Sequence, residues 1–349
     1  MKKLICLILT IALSAVCCSC SGIPLNNQRF SKSFMDLFDT VSEITAYDSN
    51  EAEFEKHYEL FYSKLEEYHK LYDIYDSYEG INNLKTLNEK AKDARVEVDE
   101  RIIDLLEFGK EAYSLSKGQT NICFGSVLSL WHTAQEEKKL PDDEKLREAA
   151  KHTDINSLII DKENKTVYFK DKDLKLDVGA IAKGYAAREI CKWAQSELWS
   201  SAMLSLGGNI CTFGYKNDDG KTPWNVQIES PKENDNKGVA IVKVNNMSVV
   251  TSGDYQRYFE VDGKRYCHII NPETLYPSEY VSSVSVICAD SALADALSTT
   301  LFNMSIEDGK ALIEKTDGAE AIWVDKEYNV IYSTGAERII TNYELRITN

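Results

Sequence analysis

Asp295 and Thr299 stand four residues apart in the run Asp290-Ser-Ala-Leu-Ala-Asp295-Ala-Leu-Ser-Thr299-Thr-Leu-Phe. The Ala, Leu and Phe spacing predicts a buried helix with Asp290 as its N-cap. Residues four apart share a helix face, so a carboxylate and a hydroxyl project together from an apolar stretch. A carboxylate in that setting needs a partner. A hard cation is one answer, because a carboxylate, a hydroxyl, a backbone carbonyl and waters suit Mg²⁺ bound with substrate phosphates. A local hydrogen bond is the other. A second constellation is Leu176-Asp177-Val178-Gly179-Ala180-Ile181-Ala182-Lys183-Gly184-Tyr185. A glycine turn that opens a helix presents free N–H groups and the positive end of the helix dipole to an anion. Lys183 adds a positive charge there and Asp177 a carboxylate. Ordinary turn chemistry accounts for the same glycines when the stretch is taken alone.

These groups must be held by the elements around them. Thr166–Lys170 and Leu174–Val178 read as strand and feed the turn, and a helix follows from Tyr185 to about Leu198. Upstream, Phe38–Tyr47 alternates like a strand. Residues 51–74 carry a helical period (Phe54, Tyr58, Phe61, Leu65, Tyr68, Leu71), with Tyr72, Tyr75 and Tyr78 near its end. A second helix spans Glu100 to Ser116, and residues 141–151 form a charged surface helix. Ala202-Met-Leu-Ser-Leu-Gly207-Gly208-Asn209 is a strand running into paired glycines, where another backbone or a ligand can come close. Thr251–Val261 and Arg265–Ile270 flank Asp262-Gly263, a firm hairpin signal. A last hairpin is expected over residues 319–333. Strands and helices mix without a βαβ rhythm, so the fold class is α+β in one unit rather than a doubly wound sheet.

The chain has 349 residues and a net charge of −16. That balance argues against a nucleic-acid footprint and against electrostatic docking on anionic lipid. Any polyanionic substrate then needs local help from a cation or from backbone donors. Lys2 and Lys3 precede an apolar run, Leu4 to Val16, too short to span a bilayer and built like a secretory signal. It ends at Cys17-Cys18-Ser19-Cys20, which resembles a bacterial lipoprotein site. Cys20 follows the small Ser19 and is the expected lipidated residue, with Cys17 and Cys18 as alternatives and an ordinary signal peptide as the other reading. Residues 1–19 are thus expected as a lipoprotein signal, 20–33 as a tether and 34–349 as the folded domain. The protein is expected outside the cell membrane, anchored by lipid, or in the periplasm. The remaining cysteines (Cys123, Cys191, Cys211, Cys267, Cys288) lack the spacing of a zinc site or a disulfide framework.

Four stretches together resemble the ApbE family of FAD:protein FMN transferases: Asp177-Val-Gly-Ala-Ile-Ala-Lys-Gly-Tyr185, Ser205-Leu-Gly-Gly-Asn209, Thr251-Ser-Gly-Asp-Tyr-Gln-Arg257 running on to His268-Ile-Ile-Asn-Pro272, and Asp295-Ala-Leu-Ser-Thr299. The resemblance extends from about Met35 to the C-terminus. It implies a single T-fold-related α+β domain, two-lobed, with a central FAD-binding cleft. It implies a Mg²⁺-dependent enzyme that cleaves the FAD pyrophosphate, moves FMN onto a Ser or Thr hydroxyl of a target protein and releases AMP. Family targets carry an Asp-x-x-Ser/Thr-Gly-Ala/Ser-Thr type of sequence, often in membrane redox complexes. Carried over residue by residue, the pattern puts the metal on the Ala180 carbonyl, the Asp295 carboxylate and the Thr299 hydroxyl, with Ser298 where some members supply another oxygen. Asp177, Lys183 and the His268-Ile269-Ile270 run correspond to FAD contacts, as do Met35, Tyr75 and Asn121. His268 and Asp295 are the catalytic candidates, His268 as acceptor of the hydroxyl proton. Asp254 and Arg257 brace the site.

The chain departs from the family pattern at three places. Leu275 stands where glycine is usual, so the turn after Pro272 is expected to be built differently. Asn121 stands where many members have Asp, and the segment from Tyr75 to Asn88 is about one helical turn longer. Two other functions use the same residues: an FAD pyrophosphatase with water as acceptor, and an exported lipoprotein that binds flavin without chemistry. Ser333-Thr-Gly-Ala-Glu337 echoes the acceptor sequence, but Glu337 replaces its final Thr, and chance explains it.

Overall fold

The computed structural model describes residues 27–235 and 238–340. Eight strands form the central sheet, in the order Gln28–Phe34, Ser42–Asp48, Ala202–Leu206, Asn209–Phe213, Ser248–Gly253, Ser283–Cys288, Glu320–Val324 and Val330–Tyr332. Each neighbouring pair is antiparallel. The expected α+β class holds, and the sheet contains no βαβ crossover between paired parallel strands.

Ser283–Cys288 is buried at every position because both faces of the sheet are covered. Val284, Val286 and Cys288 pack with Leu297, Leu301 and Phe302 of the helix Ser291–Phe302. Ile287 points the other way, towards Trp224 and Val226 of a two-stranded sheet formed by Trp224–Ile228 and Ala240–Val244. Each large apolar side chain buried in this way stabilises the fold by about 1.5–3 kcal/mol. The helix Ala182–Glu197 packs against Ser291–Phe302 and against the strand Asn209–Phe213. A second layer holds the helices Glu51–Tyr72 and Glu100–Leu115 and a three-stranded sheet of Val96–Glu97, Thr166–Phe169 and Leu158–Asp161. Asn50 and Asp99 cap these two helices through their side chains. All five cysteines beyond residue 26 are buried and free.

Several boundaries differ from expectation. The tether was drawn to residue 33, but Gln28–Phe34 is the edge strand of the central sheet. Its alternation puts Phe30 and Phe34 on the core, which a solvated tether would not do. The strand expected over Phe38–Tyr47 begins only at Ser42, because Phe38 and Asp39 sit in the left-handed region at φ 56° and 50°. Leu174–Val178 is extended but makes only a single bridge, Lys175 with Phe124. Thr251–Val261 is two strands. Ser248–Gly253 belongs to the central sheet, and Tyr258–Val261 pairs with Lys264–Cys267 in the hairpin. Ser333 of the acceptor-like run is buried, its hydroxyl bonded to Glu320 and Ala321, in keeping with chance.

Candidate active site

The helix Ala182–Glu197 begins without a capping side chain of its own. The first N–H groups of a helix have no intrahelical partner. Here the acceptor comes from another helix: Gly184 donates its N–H to Oδ2 of Asp295 at 2.7 Å. Only glycine permits this approach. A Cβ on Gly184 would lie 2.4 Å from both Asp295 Cβ and the Ser291 carbonyl oxygen. Asp295 is 5% exposed. Burial pushes its carboxyl above the ordinary carboxylate range, and the Lys183 charge, the Gly184 N–H and the Asn209 amide pull it back. The positive end of the helix dipole favours a negative charge at the same point.

The preceding loop is shaped by its own backbone. Asp177 Oδ1 accepts from Gly179 N–H at 2.9 Å, and the N–H groups of Ile181 and Ala182 both donate to the Val178 carbonyl. The Ala180 carbonyl would ordinarily accept from Gly184, four residues on. With Gly184 committed to Asp295, that carbonyl accepts no hydrogen bond among the described residues. The Lys183 N–H likewise makes none, and its side chain is partly exposed without an ion-pair partner among them. Thr299 lies one helical turn from Asp295 and is half-buried. Carboxylate, free carbonyl and hydroxyl are the oxygen donors a hard cation takes, so this corner fits Mg²⁺. Ser298 is engaged differently: its hydroxyl is 2.9 Å from the Asp295 carbonyl oxygen and 2.9 Å from Ser252 Oγ.

His268 follows the second hairpin strand. Its Nδ1 is 3.1 Å from the Arg257 carbonyl oxygen. A carbonyl only accepts, so Nδ1 carries the proton and Nε2 holds the free lone pair. Solvent reaches the ring, yet it lies in a concavity with protein around it. This desolvation, ahead of the positive charges of Lys183, Arg257 and His132, pushes its pKa down to about 4. The imidazole is therefore neutral at pH 7. Lys183 acts electrostatically on both Asp295 and His268, so the two catalytic candidates share one neighbourhood.

Beside His268 an aromatic pocket opens between the helix Gly125–Glu137 and the hairpin, lined by Trp131, His132, Tyr258, Phe259 and Tyr266. Trp131 Nε1 donates to the Leu275 carbonyl at 3.0 Å. Leu275 has φ 64°. The turn after Pro272 was expected to be rebuilt where leucine replaces glycine, but its backbone is left-handed all the same. Trp131, the Asn271 carbonyl that accepts from Leu275 N–H at 2.9 Å, and packing against the aromatic cluster hold it there.

The other expected contacts divide. Tyr75 is exposed, its ring 6.1 Å from His132, and the charge of Asp177 acts on its hydroxyl, so both stand by the site. Met35 is 71% exposed, on the loop that Arg257 reaches by donating to Asp39 O at 2.9 Å. Asn121 spends both ends of its amide locally, on the Thr153 carbonyl and the Cys123 N–H, each at 2.9 Å. Ile269 and Ile270 follow His268 but send their side chains into two different hydrophobic clusters, leaving only backbone to a ligand. Asp254 pairs with Lys326 at 2.8 Å, a bracing role. Cys20 lies outside the described residues. Gly184 as the close-packing residue, the buried Asn209 side chain and the Trp131 pocket were missed. The glycine after Lys183 was a visible signal; the partners of the other two are set only by tertiary packing. Elsewhere, His152, Asp171 and Asp173 bring possible ligand atoms within 4.8 Å of one another. His152 and Asp171 already satisfy each other there at 2.9 Å.

A model of the ApbE family matches residues 38–323. The chain is 35% identical over 264 residues to the FAD:protein FMN transferase of Treponema pallidum, covering 72% of this chain and 73% of that one. It is 31% identical over 249 residues to an FAD:protein FMN transferase of Klebsiella pneumoniae, covering 71% and 76%. Among solved structures, the ApbE protein of Thermotoga maritima superposes with a TM-score of 0.80 at 28% identity, over 90% of this chain and all of that one. The flavin transferase ApbE of Vibrio cholerae shares the fold, with a TM-score of 0.75 at 24% identity over 90% and 99%.

Proposed function

The chain belongs to the ApbE family, and on that premise we propose that it transfers FMN from FAD to a Ser or Thr hydroxyl of another protein and releases AMP. The observation that carries the reading is the Gly184 N–H bond to Asp295, which sets a buried carboxylate at a helix N-terminus beside Lys183; Thr299 one helical turn along and the unbonded Ala180 carbonyl support the same reading. This donor set would hold Mg²⁺, which when bound supplies neutralisation of pyrophosphate charge. The Lys183 side chain and its unpaired N–H bind phosphate oxygens on the same side. His268, neutral and with Nε2 free, accepts the proton of the acceptor hydroxyl. As that oxygen bonds to the FMN phosphorus, the bond from phosphorus to the bridging oxygen breaks, and the bridging oxygen leaves with AMP.

The exposed Tyr75 ring gives a planar group a surface to stack on. Asp177 and the backbone of His268–Ile270 complete the FAD contacts in this reading, while Asn121 and Ser298 serve by holding their loops. Solvent access to His268 supports a second reading in which water replaces the hydroxyl and the products are FMN and AMP. Incubation with FAD and Mg²⁺, with and without a domain carrying the acceptor-type sequence, separates the two. AMP formed only with acceptor supports transfer, and AMP formed without it supports hydrolysis.

The basic start, the apolar run Leu4 to Val16 and Cys20 support export and attachment to the membrane by an N-terminal lipid. Among the described residues no helix is long and apolar enough to cross a membrane. The natural acceptor, on this reading, is a protein exposed on the same side, of the kind found in membrane redox complexes.

A further inference from the structure

Asn209 closes the turn Gly207-Gly208, paired with Leu206 across the two strands that the turn joins. Both glycines have positive φ, 59° and 88°, which lets the chain reverse within two residues. The reversal carries the Asn209 side chain into the interior, where the residue is 2% exposed. Its Nδ2 is buried with no hydrogen-bond partner. An unmet buried donor costs about 1–3 kcal/mol, and native interiors keep few of them.

The amide is not aimed at random. It lies by the Asp295 carboxylate, close enough to favour its charged form. The same carboxylate already accepts from Gly184 N–H, through Oδ2 at 2.7 Å. Two donors from two different elements, a helix N-terminus and a hairpin, thus converge on one buried acid. We infer that Asn209 is a positioning residue of the cation corner: with Gly184 it holds the Asp295 carboxylate in place and leaves an oxygen for a divalent cation. The inference rests on the reading of Asp295 as a cation ligand.

The test uses the full chain and Mn²⁺ as the probe, read as loss of the free-ion electron paramagnetic resonance signal, with no substrate present. Wild type is expected to bind Mn²⁺ and Asp295→Ala to lose it. Asn209→Leu, close in size but without a donor, is expected to weaken Mn²⁺ binding about 10- to 100-fold, the usual effect of removing a group that orients a metal ligand. Asn209→Ser, which keeps a small donor, is expected to fall between. Near-UV circular dichroism checks that each variant keeps its packing, and Asn209→Ser alone decides the matter if the leucine variant does not fold. Wild-type affinity in folded Asn209→Leu, or in Asn209→Ser when only that variant folds, overturns the inference while leaving the cation reading intact. If wild type binds no Mn²⁺, or Asp295→Ala binds it equally well, the cation reading itself falls and the inference with it.

Discussion

The N–H of Gly184 meets the carboxylate of Asp295 at 2.7 Å, joining the first turn of one helix to the middle of another. That single bond does two things. It caps a helix that has no capping side chain, and it takes Gly184 away from the Ala180 carbonyl, leaving that oxygen without a hydrogen bond among the described residues. Gly184→Ala puts a methyl group 2.4 Å from Asp295 Cβ and from the Ser291 carbonyl. Overpacking of this kind costs about 1–3 kcal/mol. The variant is expected to melt at a lower temperature by calorimetry and to bind divalent cation more weakly. An unchanged melt and unchanged binding would remove the close contact from the account.

Asp295 is held at a cost, because burial disfavours its charged form. In chelator at neutral pH, Asp295→Asn keeps an acceptor for Gly184 and removes the buried charge. It is expected to be at least as stable as wild type to heat while losing cation-dependent activity. A strongly destabilised Asn variant would mean that the carboxylate is there for the fold rather than for a ligand.

His268 gives a pH prediction with a definite sign. Its folded pKa, about 4, lies below the ordinary 6.5, so the unfolded chain takes up the proton first on acidification. The stability tied to its neutral form is present in full above about 6.5 and is lost as pH falls from there towards 4, while the folded ring itself stays neutral until pH approaches 4. The rate at saturating FAD and cation is therefore expected to show no loss from His268 between pH 8 and pH 6. His268→Ala is expected to lower kcat by about 10²–10⁴ with FAD affinity largely kept. A rate in that variant close to wild type would take the proton-accepting role away from it.

Much of this site is legible in the sequence, and the limits have physical causes. Asp295 and Thr299 sit one helical turn apart, and periodicity alone puts them on one face. Asp262-Gly263 folds as the tight turn its residues demand, with φ 50° and 77°. Gly184 as a contact for Asp295 was not legible, because 111 residues separate the two and only helix packing brings them together. Leu275 was misjudged because it adopts a glycine-like backbone. Adopting it costs about 1–2 kcal/mol, which the Trp131 hydrogen bond and the aromatic cluster offset from 144 residues away. Residues 28–33 read as tether because the polar alternate positions hide the inward Phe30 and Phe34 of an edge strand.

Cys20 offers a prediction about location. Cys20→Ser is expected to move the protein from the membrane fraction to the soluble exported fraction and to abolish incorporation of labelled fatty acid. Continued lipid labelling would redirect the anchor to Cys17 or Cys18.

Transfer of FMN onto a protein hydroxyl is proposed to depend on the Asp295 carboxylate. Intact-mass analysis of an acceptor domain carrying the Asp-x-x-Ser/Thr-Gly-Ala/Ser-Thr sequence, incubated with the enzyme, FAD and Mg²⁺, tests it most directly. A mass increase of one FMN unit on the Ser or Thr, matched by released AMP, is expected, with no increase in chelator or with Asp295→Ala. An unmodified acceptor in the presence of active, cation-loaded enzyme, or full modification by Asp295→Ala, would contradict it.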